Sequence, residues 1–230
     1  MIEAVLFDID DTLVDHSGAA RAAVVAAFPE ADAALVARRW FELEEEYYGR
    51  YLAGELGFAE QRRLRVTALA AELDLGEWAA ARADAWIAAY AERYEANWRL
   101  FPDVLACLDA CGLPMAVVTN SNGDFQRAKL AAVGLDGRFP VVVASEDVGV
   151  AKPDPEIFRV ACRLLDVEPS RTAYVGDRLT TDALGARAAG LRGIWLDRSG
   201  AAAPDDPGVV RITTLADLAA VLDSGGPVSP

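Results

Sequence analysis

The sequence predicts an α/β protein: a parallel sheet covered by helices on both faces, with an all-helical segment inserted after the first strand. Three observations carry this. From about Leu100 onward, strand-like apolar runs alternate with helical segments, the pattern of parallel βαβ units. From about Ser17 to Asn97 no strand-like run occurs, and apolar residues recur at helical spacing. The first strand, Ala4–Ile9, has no local partner, and the simplest place for it is the later sheet.

The first strand ends in Asp8-Ile9-Asp10-Asp11-Thr12-Leu13. Period-two geometry points Asp8 and Asp10 the same way. Two carboxylates so placed repel unless a cation or a shared proton lies between them. Chemistry gives a reason to tolerate that cost, because one can be a nucleophile and the other an acid/base. A solvated turn after a buried strand is the plainer alternative.

In the helical segment, Ala20, Val24, Ala27 and Phe28, then Leu35, Trp40, Leu43 and Tyr47, then Leu64, Ala68, Ala71 and Leu73 mark successive apolar faces. Gly54, Gly57 and Gly76 break them, so a bundle of about four helices is expected. Trp40, Trp78, Trp86 and Trp98 read as bundle core. Beyond it, strands are expected at Pro114–Thr119, Pro140–Ala144, Thr172–Val175 and Gly193–Leu196. Helices are expected at Asp103–Cys111, Asp124–Val133, Pro155–Leu165 and Thr180–Ala189. The domains are therefore residues 1–14 with 100–224, and the helical insert 15–99. Residues 225–230, rich in Gly, Pro and Ser, read as a disordered tail.

Composition narrows the function classes. The 230 residues carry a formal net charge of −14, which disfavours nucleic acid or an anionic membrane as partner. No apolar run is long enough to span a bilayer, and no basic leader precedes the first strand. The three cysteines show neither zinc spacing nor a disulfide framework, so reduced thiols and a cytoplasmic setting are expected. With His16 as the sole histidine, a multi-histidine metal site is excluded.

Ligands of open α/β sheets bind beyond the carboxyl ends of the strands. Asp8 and Asp10 fall there, as do Thr119-Asn120-Ser121-Asn122 and Gly176-Asp177, with Asp182 one turn further on. Lys152 stands in Gly149-Val150-Ala151-Lys152-Pro153-Asp154, just before a helix whose N-cap is Asp154 and whose first residue is Pro155. Asp8, Asp177 and a backbone carbonyl are hard oxygen donors of the type Mg²⁺ takes. The cation would relieve the carboxylates and supply positive charge for an anionic substrate. Lys152 and the turn amides at Thr119 and Asn120 would cradle phosphate oxygens.

The ordered set Asp8-Ile9-Asp10-Asp11-Thr12, Val117-Val118-Thr119-Asn120, Val150-Ala151-Lys152-Pro153-Asp154-Pro155 and Gly176-Asp177…Asp182 resembles the four motifs of the haloacid dehalogenase-like (HAD) hydrolase superfamily. The resemblance implies a Rossmann-like core with a C1-type helical cap that closes over the crevice and selects the substrate. It implies Asp8 as nucleophile, forming an aspartyl-phosphate. Asp10 would be the acid/base, lending its backbone carbonyl to Mg²⁺. Thr119 and Lys152 would hold the phosphoryl group, Asp177 would bind the metal, and Asp182 would act on it through water or orient Lys152. Thr12 would position the loop after the nucleophile. Dehalogenases of the superfamily lack an acid at the position of Asp10, so phosphate chemistry is favoured. Many relatives carry Gly where this chain has Asp11.

Gly54–Arg65 resembles the substrate-specificity segment of related caps, where Arg62 or Arg65 would meet the distal part of a substrate. Glu/Arg pairing on a helix face is the plainer reading for at least two of Arg62, Arg63 and Arg65. The expected function is a Mg²⁺-dependent phosphatase of small phosphorylated metabolites, monomeric or homodimeric. A phosphomutase, a 2-haloacid dehalogenase and a non-catalytic phospholigand-binding protein are the alternatives.

Overall fold

The computed structural model describes residues 1–200 and 209–223. The tail assigned to residues 225–230 lies outside them. The chain divides into two units, Met1–Asp15 with Arg99–Pro230, and His16–Trp98.

The first unit is built on a six-stranded parallel sheet. Its strands are β1 (Ala4–Phe7), β2 (Met115–Thr119), β3 (Val141–Ala144), β4 (Thr172–Gly176), β5 (Arg192–Leu196) and β6 (Val210–Ile212). Their order is β3-β2-β1-β4-β5-β6, the doubly wound arrangement. The unpartnered first strand lies at the centre, pairing Val5 with Met115 on one side and with Ala173 on the other. All four β1 residues are buried, as a strand covered on both faces requires. The order reverses about β1, so the ends of β1, β2 and β4 open onto one crevice.

Some local features differ from the sequence reading. The strand β6 was not expected: three residues are too few to show a period. The expected helix Thr180–Ala189 is helical over most of its length, but it opens as a wide π-type turn at Leu179–Leu184 before the short α-helix Gly185–Ala188. In that turn the Ala183 N–H donates to the Arg178 carbonyl five residues back, at 3.4 Å. The turn lies directly on the sheet, because Gly176 and Gly193 have no side chain. A Cβ on Gly193 would come within 2.0 Å of the Ala183 carbonyl, and one on Gly176 within 2.4 Å of Asp182.

The second unit contains α1 (His16–Ala27), α2 (Ala33–Leu52), α3 (Phe58–Glu72) and α4 (Ala80–Ala96). Asp32 caps α2 by accepting from the Leu35 N–H at 2.7 Å. Aromatic rings fill its interior. Trp86 stacks on Phe28 (5.4 Å) and on Tyr90 (5.3 Å), and Tyr90 packs against Trp40 (4.8 Å) and Tyr94 (6.0 Å). The chain leaves the first unit and re-enters it side by side. Val14 bridges Leu100, the Asp15 N–H donates to the Arg99 carbonyl at 3.0 Å, and the Arg99 guanidinium bonds the Asp15 carboxylate at 2.6 Å.

The remaining helices are α5 (Val104–Cys111), α6 (Gly123–Ala132), α7 (Ser145–Val148), α8 (Pro155–Leu165), α9 (Gly185–Ala188) and α10 (Leu218–Asp223). Asp154 caps α8, accepting from the Glu156 N–H at 2.8 Å, with Pro155 at its first position. Cys107, Cys111 and Cys162 are free, and burial pushes the Cys107 thiol up to about 12. Among the described residues no helix is long and apolar enough to cross a membrane.

Candidate active site

Asp8 stands one residue past the end of β1, its N–H donating to the Val175 carbonyl at 2.9 Å. This bond ties it into the sheet beside β4. Asp177 follows β4 directly, and the Trp195 indole N–H holds its carbonyl at 2.8 Å. Asp182 comes from the turn laid on Gly176. Carboxylate oxygens of Asp8, Asp177 and Asp182 lie within 4.8 Å of one another.

Lys152, only 5% exposed, answers part of this negative charge. Its Nζ donates to Asp8 Oδ1 at 2.6 Å, to Asp182 Oδ1 at 2.7 Å and to the Tyr174 hydroxyl at 2.8 Å. The Asn120 side chain fixes the Lys152 main chain from both sides: its Nδ2 donates to the Lys152 carbonyl at 2.8 Å, and its Oδ1 accepts from the Lys152 N–H at 2.6 Å. Thr119, buried at the end of β2, sits 3.4 Å from the Gln126 amide nitrogen.

One ammonium does not balance three carboxylates. The Asp8 carboxyl is raised to about 7: burial, joined by repulsion from Asp182 and Asp10, outweighs the pull of Lys152. Burial, then repulsion from Asp8, Asp182 and Asp11, holds Asp177 well above the usual carboxylate range. Among the described residues nothing donates a hydrogen bond to the Asp177 carboxylate. The Lys152 ammonium is held above its ordinary value, the charges of Asp182 and Asp8 outweighing burial. Hard oxygens in a cluster short of positive charge fit a small divalent cation.

Asp10 does not join that cluster. It is half-buried, and its carboxylate is held by α6: Lys129 Nζ donates to Oδ1 at 2.6 Å and Gln126 Nε2 to Oδ2 at 3.0 Å. Sequence reasoning did not pick out Lys129 or Gln126. The signal available was their i, i+3 spacing on a short helix directly after the Thr119–Asn122 turn. Lys129 is 1% exposed, and a lysine so buried needs an acid beside it.

Asp11 adopts the left-handed conformation (φ 57°), which glycine takes freely and Asp tolerates. Thr12 is fully buried; its carbonyl accepts from Arg198 at 2.7 Å, and its hydroxyl has no partner among the described residues.

The helical unit sorts its arginines. Arg63 pairs with Asp84 (2.5 Å). Arg65 is buried against Glu44 (2.5 Å) and lies over the Trp40 ring at 3.9 Å. Burial alone would raise the Glu44 carboxyl, but Arg65 and His16 hold it well below the usual range. His16 Nδ1 lies 2.7 Å from the Tyr94 hydroxyl. Arg62 lies 5.1 Å from the Phe58 ring centroid, and no carboxylate pairs with it among the described residues. Of the two arginines expected to meet substrate, Arg65 is thus committed internally, and burial with repulsion from Arg65 weakens the charged form of Arg62.

The model of the haloacid dehalogenase-like hydrolases matches residues 2–190. A glyceraldehyde 3-phosphate phosphatase from Methanopyrus kandleri is 36% identical over 83% of this chain and 82% of its own length. A phosphoserine phosphatase from Thermus thermophilus is 41% identical over 50% of this chain, which spans only 47% of that protein. The crystal structure of YfnB from Bacillus subtilis, bound to magnesium, has a TM-score of 0.80 at 24% identity, covering 96% of this chain and 99% of that one, a likeness of fold. Matched in sequence along most of its length, with a doubly wound sheet whose strand ends gather these carboxylates, the chain belongs to the haloacid dehalogenase-like hydrolases.

Proposed function

We propose that the protein is a Mg²⁺-dependent phosphatase of small phosphorylated metabolites, working through an aspartyl-phosphate on Asp8. The observation that carries this is Lys152, buried between Asp8 and Asp182 in a carboxylate cluster short of positive charge. The phosphatase names of its relatives support the same reading.

An Asp8 carboxylate oxygen attacks phosphorus; the Asp8–P bond forms as the bond to the ester oxygen breaks. Asp10 gives its proton to that oxygen, releasing the alcohol. Asp10 then takes a proton from water, the water oxygen attacks phosphorus, and phosphate leaves with the Asp8 carboxylate restored. Lys152, Thr119 and the amide of Asn120 hold phosphoryl oxygens. Asp8, Asp177 and the Asp10 carbonyl would hold Mg²⁺, with Asp182 behind them. When bound, the cation neutralises charge on the carboxylates and the phosphoryl group. A dehalogenase has no use for Asp10, since a halide leaves without a proton. Retention of every catalytic position argues against a binding-only role.

The test is phosphate release from a panel of nucleotides, sugar phosphates, phosphoglycolate, phosphoserine and glyceraldehyde 3-phosphate, with and without Mg²⁺. Mg²⁺-dependent release is expected; Mg²⁺-independent release would contradict the metal assignment. Asp177→Ala is expected to raise the Mg²⁺ midpoint at least about tenfold, some 1.4 kcal/mol of binding. An unchanged midpoint removes Asp177 from the metal shell.

Arg62 is proposed to select the remote end of the substrate. Arg62→Ala is then expected to raise KM by roughly tenfold or more for substrates carrying a second anionic group, the scale of one charged hydrogen bond. An equal change for substrates lacking that group would remove this role.

A further inference from the structure

We infer that Tyr174 is a positioning residue for Lys152, an assignment that rests on the phosphatase reading above. Tyr174 lies in β4, 0% exposed, in the core cluster with Leu6, Val118, Ile157, Phe158 and Leu191. Its ring packs edge-on against Phe158 at 4.9 Å. Phenylalanine would fill that volume with no polar atom to satisfy. The hydroxyl costs free energy in an apolar layer unless it is hydrogen-bonded, so its partners show what it is there for.

Those partners are the machinery of the site. The hydroxyl accepts from Lys152 Nζ at 2.8 Å. For its single proton it has two acceptors, the Val118 carbonyl and Asp182 Oδ1, both at 3.1 Å. Lys152 has three N–H donors, and Asp8, Asp182 and Tyr174 take one each. Three acceptors around one ammonium fix both its position and its rotation, which a flexible four-carbon stem does not do by itself.

When Asp8 carries the phosphoryl group, the N–H now given to Asp8 is the one whose partner changes. Tyr174 and Asp182 keep the other two and hold that N–H on target. Because Val118 precedes Thr119, the same hydroxyl also ties Lys152 to the end of β2. A group that matters only once the transition state is reached affects kcat more than KM.

The experiment uses the full chain with Mg²⁺ and its best substrate from the panel. Tyr174→Phe is expected to lower kcat about tenfold or more, with KM changed less than about threefold. Inhibition by orthovanadate, which mimics the five-coordinate phosphorus, should weaken by a similar factor, while inhibition by inorganic phosphate should barely move.

Ile157→Val, in the same core cluster, serves as the packing control. Loss of kcat in both variants in proportion to their loss of Tm would overturn the proposal, as would an unchanged kcat or equal weakening of vanadate and phosphate. Should Tyr174→Phe fail to fold, 3,5-difluorotyrosine at position 174 keeps the ring and hydroxyl but weakens the oxygen as an acceptor. A smaller fall in kcat at unchanged Tm then supports the assignment, and no fall overturns it. Wild-type protein that neither releases phosphate nor binds vanadate would sink the phosphatase reading and this inference with it, an outcome distinct from a Tyr174→Phe variant indistinguishable from an active wild type.

Discussion

Asp8→Asn is expected to lower kcat by at least roughly 10⁴-fold while leaving the protein folded. The amide keeps the shape of the carboxylate and loses the nucleophile. The structure also gives the sign of its effect on stability. The Asp8 carboxyl stands at about 7 because burial and like charges outweigh Lys152. An acid raised in the folded state contributes its stability below the ordinary carboxylate range, near pH 4, and loses it as pH climbs towards 7.

Metal-free wild type should therefore lose Tm between pH 5 and pH 8, and Asp8→Asn should lose distinctly less. Both retain the contribution of Asp177, whose carboxyl is raised in the same direction. Mg²⁺ should restore Tm in the wild type at pH 8 far more than at pH 5, where protons compete for the same oxygens. Thermal unfolding in the presence of a chelator, then with added Mg²⁺, measures both effects. Parallel pH profiles for wild type and Asp8→Asn would show that Asp8 is not the strained carboxylate.

Asp10→Asn is the second large effect, and its mark is dependence on the leaving group. An alkoxide departs from phosphorus only with a proton, so sugar or hydroxy-acid phosphates should lose about 10²- to 10⁴-fold in kcat. A nitrophenyl phosphate, whose leaving group departs as a stable anion, should lose far less. Equal losses for both esters would mean that Asp10 does not deliver the proton. Lys129→Met removes the ammonium 2.6 Å from Asp10 and should show the same dependence in weaker form, since Gln126 still holds the other oxygen.

The sequence was legible where the candidate site lies at the ends of strands. Asp8, Thr119 and Asp177 each follow an apolar run, and their convergence is a consequence of one parallel sheet rather than of any local signal. Asp182 was legible as a position, but the wide turn that lays it on β4 was not: it depends on the missing side chains of Gly176 and Gly193, a contact between segments that no helical period encodes.

The partners that hold the candidate site's charged groups were hidden for a similar reason. Lys129 looks like any surface lysine on a helix until Asp10, 119 residues away, is placed beside it. Tyr174 reads as a large residue in a buried strand; what distinguishes it from phenylalanine is the hydroxyl, placed against Lys152, Asp182 and the Val118 carbonyl. The helical unit was legible in its number of helices and its aromatic interior, but the sorting of its arginines depended on where Glu44 and Asp84 fell.

The most direct measurement is acid quenching during turnover of a phosphate-labelled substrate, followed by mapping of the label on the protein. An Asp8 nucleophile requires label on the peptide containing Asp8, acid-stable and released by hydroxylamine, and none in Asp8→Asn. Label on another residue, or rapid turnover with no protein-bound phosphate at any quench time, would contradict the aspartyl-phosphate.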